Sequence, residues 1–228
     1  MADLKPVKKL DAGLIISAFV ISGIIFAAGI FVGYGLNNEK LASIESNLNS
    51  INKDVQGFQS QFLFLDMFGE KASCPMLEST LNRISENSYD LGNRLAAYGA
   101  EGEIRDEATY KERKLEYSSM LTGYWLLAEK LKKACNTSVN TVLYFYSGPC
   151  ARCEDQAFVL TYLKNKYNDK LLVFALDVDI KEPSVEALRK YYNITEYPSL
   201  VINGRPARGF VSQQQMEDML NLGVVVAI

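Results

Sequence analysis

In Thr141-Val142-Leu143-Tyr144-Phe145-Tyr146-Ser147-Gly148-Pro149-Cys150-Ala151-Arg152-Cys153, a short apolar run breaks at Gly-Pro and ends in two cysteines three residues apart. The run has the length and the β-branched and aromatic content of a buried strand, and a helix-like stretch follows Cys153. A C-x-x-C in that strand-to-helix position points to a redox pair rather than a metal clamp. It also puts the first thiol at a helix N-terminus, where unpaired N–H groups favour a thiolate.

The chain has 228 residues, room for a membrane anchor and one or two modest domains. A net charge of −3 argues against nucleic acid as a partner. Histidine is absent, which excludes Ser-His and Cys-His catalysis, His-liganded zinc and haem held through His. Four cysteines stand at 74, 135, 150 and 153. An even count suits an oxidising compartment. No metal or other cofactor is called for: a zinc site made of all four thiols would consume the C-x-x-C and lacks a second close pair.

Residues 12–36, Ala12 to Leu36, carry no charge and are rich in Ile, Phe, Val and Gly. At about 1.5 Å per residue they are long enough to cross a hydrocarbon core of about 30 Å. A cleavable signal peptide has a shorter apolar region, and the heptad pattern that follows reads as a continuing helix, so a retained anchor is the expectation. Lys5, Lys8 and Lys9 precede the span, and Glu39 and Lys40 balance each other after it. The positive-inside rule then leaves 1–11 as a cytoplasmic tail and exports everything after Asn37. Gly29 and Gly33 form a G-x-x-x-G, a weak helix-packing signal.

Residues 37–138 read as a helical stalk and an antiparallel hairpin. Leu41, Ile44, Leu48, Ile51, Val55, Phe58, Phe62 and Leu65 alternate steps of three and four, a coiled-coil seam. Its flanking positions are mostly Asn, Gln and Ser, so a homodimer through the stalk and packing within one chain stand side by side. A second periodic run, Cys74 to Tyr98, has Ser73 and Pro75 as start signals, and a third extends from Tyr110 to Cys135, interrupted by Lys114. Gly99-Ala100-Glu101-Gly102 connects them, so the two helices lie antiparallel and bring Cys74 and Cys135 to one end. Two free, buried cysteines are one reading. With the outward topology a structural disulfide is favoured, worth roughly 4 kcal/mol for a loop of about 60 residues.

From 139 to 228 the pattern alternates. Leu171 to Asp177 is a strand parallel to the first, Val185 to Tyr192 a helix, Ser199 to Asn203 a strand, and Ala207 to Val211 an antiparallel edge. A last helix starts at Ser212 with Met216, Met219 and Leu220 as its apolar side. The C-x-x-C, Ile194-Thr195-Glu196-Tyr197-Pro198-Ser199-Leu200 and Asn203-Gly204 resemble the thioredoxin superfamily. The resemblance covers roughly residues 139 to 222 and implies an α/β thioredoxin-like C-terminal domain. It implies a cis Pro198 facing the cysteines, with Tyr197 and Pro198 receiving the substrate chain. It further implies that Cys150 attacks and Cys153 resolves, with Arg152 and the helix N-terminus stabilising the thiolate. Arg152 as a plain solvated charge is the other reading.

Two departures stand out. The family's commonest redox segment is Trp-Cys-Gly-Pro-Cys, whereas here Gly148-Pro149 precede the first cysteine. Tyr144 also replaces a buried acid six residues before Cys150, leaving Glu154 or water as proton acceptor. The family's first strand and helix have no clear counterpart, which leaves helix 107–135 to cover the sheet. Asn136 and Asn193 head N-glycosylation sequons, triplets that also arise by chance.

The expected activity is thiol–disulfide exchange with protein substrates, outside the cytoplasm and tethered to the membrane. A membrane redox partner then has to recharge the pair. The alternative is a thioredoxin-like client-binding or scaffold subunit of a membrane complex. Protease added to intact spheroplasts should digest the chain beyond Asn37, and full protection would overturn the outward orientation.

Overall fold

The computed structural model describes residues 12–100 and 107–221. The chain divides into two units, residues 1–43 and 44–228. In the first, α1 (Ala12–Gln61) begins, and its window Ile15–Val32 is long and apolar enough to cross a membrane. None of that window is buried, and Phe19 and Phe31 are among its most exposed side chains. Its apolar side chains are exposed all round, the composition of a membrane-spanning segment. Such a helix near the N-terminus is compatible with a single-pass anchor or a signal sequence. A Cβ added to Gly29 would meet nothing within 4 Å among the described residues, and Gly33 lies outside the described side chains.

In the second unit the rest of α1 is followed by α2 (Leu63–Phe68), α3 (Glu70–Ala100) and α4 (Glu107–Cys135). The heptad residues Ile44, Leu48, Ile51, Val55, Phe58 and Phe62 are all buried. They are buried within the chain, flanked by ion pairs from Asp54 to Arg83 (3.2 Å) and from Glu45 to Arg113 (3.2 Å) and by Lys130 over the Phe62 ring. From Ile44 to Phe62 the apolar seam is thus packed against the chain's own helices, the within-chain arrangement that stood beside the stalk dimer. The side chain of Leu65 lies outside the described residues. Helix α3 starts one turn earlier than Ser73 and Pro75 suggest, because Gly69, at φ 76°, makes the break from α2. Ser73 instead caps that break by donating to the Phe64 carbonyl at 3.0 Å.

The hairpin register is set by tyrosines. Tyr110, Tyr117 and Tyr124 of α4, spaced by seven, donate to the carbonyls of Leu95 (3.3 Å), Ser88 (2.9 Å) and Leu81 (2.8 Å) of α3, spaced by seven in the opposite direction. A helical side chain leans back toward the N-terminus and shields the carbonyl four residues earlier. Here those shielding positions are Gly99, Gly92 and Ser85. A Cβ on Gly92 or Gly99 would overlap the phenol oxygen that now sits there. At the open end of the hairpin Cys74 and Cys135 are joined by a disulfide, with a Cα–Cα distance of 5.8 Å. Of the predicted connection at 99–102, Gly99 and Ala100 belong instead to the end of α3, and residues 101–102 lie outside the described residues.

The C-terminal half holds β1 (Asn140–Tyr146), α5 (Cys153–Tyr167), a 3-10 turn (Asn168–Lys170), β2 (Leu171–Asp177), α6 (Pro183–Tyr191), β3 (Ser199–Ile202), β4 (Arg205–Arg208) and α7 (Gln213–Met219). The sheet order is β2-β1-β3-β4, with β1 and β2 parallel and the other two pairs antiparallel. One face packs on α5 and α7 around Val142, Tyr144, Leu160, Leu163 and Met216; α4 and α6 cover the other, where the Tyr124 and Phe174 rings lie 5.1 Å apart. Strand β4 comes two residues earlier than expected. Asn203 and Gly204 both have positive φ, so a two-residue turn sets Ile202 opposite Arg205. Ser212 and Gln215 form a capping box before α7, whose Met216 and Leu220 are buried while Met219 is exposed, correcting its apolar side.

Replacing Cys74 with Ser should lower stability by about 2–4 kcal/mol in thermal unfolding. Gly92→Ala should also destabilise, although alanine alone favours helix by about 1 kcal/mol. The double variant with Tyr117→Phe should then be more stable than Gly92→Ala alone; the reverse order would remove the phenol–carbonyl account of the register.

Candidate redox site

Strand β1 ends at Tyr146, and the chain turns through Ser147-Gly148-Pro149 before the cysteines. Asp179, just beyond β2, holds that turn: its carboxylate accepts from the Ser147 hydroxyl (2.9 Å) and the Gly148 amide (2.7 Å). Asp177 accepts the Asp179 amide at 2.9 Å and is ion-paired with Lys114 of α4. This chain of contacts runs from the hairpin to the cysteine loop. Nothing in the spacing of the two acids marks it in the sequence.

Cys150 and Cys153 are joined by a disulfide with a Cα–Cα distance of 5.5 Å. Cys150 lies in the turn, half-buried, while Cys153 is the first helical residue and 6% exposed. Helix α5 thus starts three residues later than the reading that put Cys150 at its N-terminus. The turn at Ala151-Arg152 is closed by the Cys153 amide on the Cys150 carbonyl, which delays the helix. Arg152 occupies the N-cap position, with its Nε 3.3 Å from Asp155 and its guanidinium over the Phe210 ring at 4.0 Å. Its charge is compensated there by a carboxylate and an aromatic face.

The Tyr197–Pro198 peptide bond is cis, and Pro198 is buried. Ser199 pairs with Phe145, so Pro198 stands opposite Tyr146, at the sheet end where the cysteine loop begins. Cys150 and Tyr197 pack against the same core cluster. Tyr144 points into that core and donates to the Cys153 carbonyl at 2.6 Å. Burial pushes its phenol far above the usual range, so Tyr144 stays protonated and accepts no proton near neutral pH. Tyr146 is pushed up in the same direction, first by burial and then by Asp177 and neighbouring tyrosines. Glu154 is exposed beside the cysteines.

A cavity of about 450 Å³ opens between α3, α4, the sheet and α5 and reaches both cysteines. Tyrosines 110, 117, 124, 144 and 146 line much of it. Lys164 sits at its margin, buried, donating to the Ser85 hydroxyl (3.0 Å) and to the carbonyls of Asn168 (2.9 Å) and Leu171 (3.0 Å). Desolvation lowers its pKa, opposed by Asp169 and Glu86. Asn136 and Asn193 are exposed at positive φ, away from this cavity's lining. Among the described residues no cluster of metal-ligating side chains occurs.

The parallel β1–β2 pair, the antiparallel β3–β4 hairpin, the C-x-x-C after β1 and the cis-proline before β3 give the C-terminal half a thioredoxin-like fold. A family profile described as "TraF: F plasmid transfer operon protein" matches residues 129–221, the end of α4 and this domain. Similar solved structures include thioredoxin-2, described as a component of malaria parasite protein secretion machinery (20% identity, 37% of this chain and 82% of that one, TM-score 0.32). Chloroplastic thioredoxin z is also similar (23% identity, 42% and 90%, TM-score 0.33). So is the germline-specific thioredoxin Deadhead of Drosophila melanogaster (24% identity, 44% and 94%, TM-score 0.32). No curated protein matches the chain. The thioredoxin-like fold supports a function of the thiol–disulfide oxidoreductase type.

Proposed function

We propose that the protein is a membrane-tethered thiol–disulfide oxidoreductase whose C-terminal domain works outside the cytoplasm on protein substrates. The observation that carries this is the pairing of a half-exposed Cys150 with a buried Cys153 at the sheet end that also holds cis-Pro198. In the reducing direction the Cys150 thiolate attacks a substrate disulfide, forming a mixed disulfide and releasing one substrate thiolate. The Cys153 thiolate then attacks the Cys150 sulfur and releases the second. Two electrons pass to the substrate, and the Cys150–Cys153 disulfide is left behind. In the oxidising direction the same steps run backwards, beginning with a substrate thiolate on Cys150.

Tyr197 and Pro198 receive the substrate chain beside Cys150, and a membrane-bound redox partner resets the pair. The Arg152 charge acts on the thiolate weakly, since Asp155 and Phe210 already engage it. A second reading, a client-binding subunit of a membrane complex, draws support from Tyr144, which leaves the buried sulfur without the acidic proton acceptor common in the family. Turnover of a disulfide-containing peptide separates the two.

In a Cys153→Ser variant, Cys150 should hold partners as mixed disulfides, because no second thiol releases them; Cys150→Ser should trap little. Pro198→Thr should prolong those mixed disulfides. Faster alkylation of Cys153 than of Cys150 at neutral pH would reverse the assignment. The Cys150–Cys153 potential gives the direction: a value near about −270 mV marks a reductase and one near about −120 mV an oxidase.

A further inference from the structure

Among the described residues, strand β2 is paired on one side only. The Val178 amide donates to the Tyr146 carbonyl and the Thr141 carbonyl accepts from Asn203, so the even-numbered residues of β1 face β2. In a parallel ladder with Tyr146 beside Asp177, the even-numbered residues of β2 then face β1. Leu171, Val173 and Ala175 consequently direct their N–H and C=O groups to the outer edge. Lys164 takes the Leu171 carbonyl. Among the described residues no hydrogen bond takes the outward groups of Val173 or Ala175. Both residues are half-buried and line the cavity that ends at Cys150.

An open strand edge is a template for another strand. Its alternating donors and acceptors are matched by an extended backbone and by few other ligands. At about 450 Å³ the cavity has room for a short segment, and Lys164, Val173 and Ala175 are among its lining residues. We propose that a short extended client segment adds to the outer edge of β2 at Val173 and Ala175, inside the tyrosine-lined cavity, and so presents its sulfur to Cys150. Only the client's cysteine rests on the oxidoreductase reading. The strand addition itself does not.

The test uses the full oxidised chain in detergent micelles and a pool of fluorescein-labelled octapeptides of Val, Thr and Tyr with a central Ser in place of Cys. The pool should bind by anisotropy, and site-resolved amide exchange should slow at Val173 and Ala175. The same pool with every backbone nitrogen methylated should bind at least about tenfold more weakly, as loss of one or two backbone hydrogen bonds requires. Val173→Pro should do likewise. Its missing N–H faces outward, a position where an edge strand tolerates proline. No binding, or binding unaffected by methylation with unchanged exchange at those two amides, overturns the proposal. A pool carrying the central cysteine as a symmetrical peptide disulfide, added to the reduced Cys153→Ser variant, separates the two readings: the Cys150 thiolate keeps one peptide as a mixed disulfide and the other leaves as a thiolate. If mixed disulfides form equally with and without Val173→Pro, the edge proposal fails and the oxidoreductase reading stands. If the Ser pool binds the edge but the Cys pool forms no mixed disulfide, the reverse holds.

Discussion

Among the described residues β2 is a parallel strand with a neighbour on one side only, and such a strand exposes a row of backbone donors and acceptors along its second edge. Those groups need either a partner or a cover. Here the cover is helical: α3 lines the far side of the cavity beside the edge and is held by α4, which itself packs on the sheet through Tyr124 and Phe174. The cover is not a close lid. It stands off by the volume of the cavity, and the three phenol–carbonyl bonds to α3 fix how far along α4 it sits. The Cys74–Cys135 bond secures the end of the hairpin remote from the 100–107 connection, where fraying would begin.

How far this was legible in the sequence depends on whether a feature is local. Strand β2 runs from Leu171 to Asp177, as its apolar run implies, because a strand buried on both faces reads as continuous hydrophobicity. The alternation of strand and helix after residue 139 follows from the period, and the cis-proline from the family resemblance. The start of α3 did not, because Gly69 at positive φ outweighs a serine and a proline that resemble a cap. The register of β4 depended on the conformation of two turn residues, which a one-strand pattern does not carry. The tyrosine ladder was present as a seven-residue repeat, but only the opposing Gly99, Gly92 and Ser85 give it meaning, and those lie in a different helix.

The same limit applies around the cysteines. Asp179 and Lys164 are ordinary surface-type residues by sequence, yet one holds the turn before Cys150 and the other joins three elements. Neither is part of a motif. Their roles arise from what the fold leaves unsatisfied: two donors in a tight turn, and one outward carbonyl at the start of β2.

Lys164 shows what that arrangement costs. Its folded pKa is depressed, chiefly by desolvation, so the charged form is less favoured in the native chain than in the unfolded one. A depressed lysine adds stability only above its unfolded value, and that contribution is lost as pH falls through the folded value. The desolvation that depresses it is offset in part by three acceptors at 2.9–3.0 Å. A methionine would fill similar space without the charge, but it would leave the Leu171 carbonyl and Ser85 without their donor and remove the link between α3 and the sheet edge. That link sets Lys164 in the lining of the same cavity that reaches Cys150.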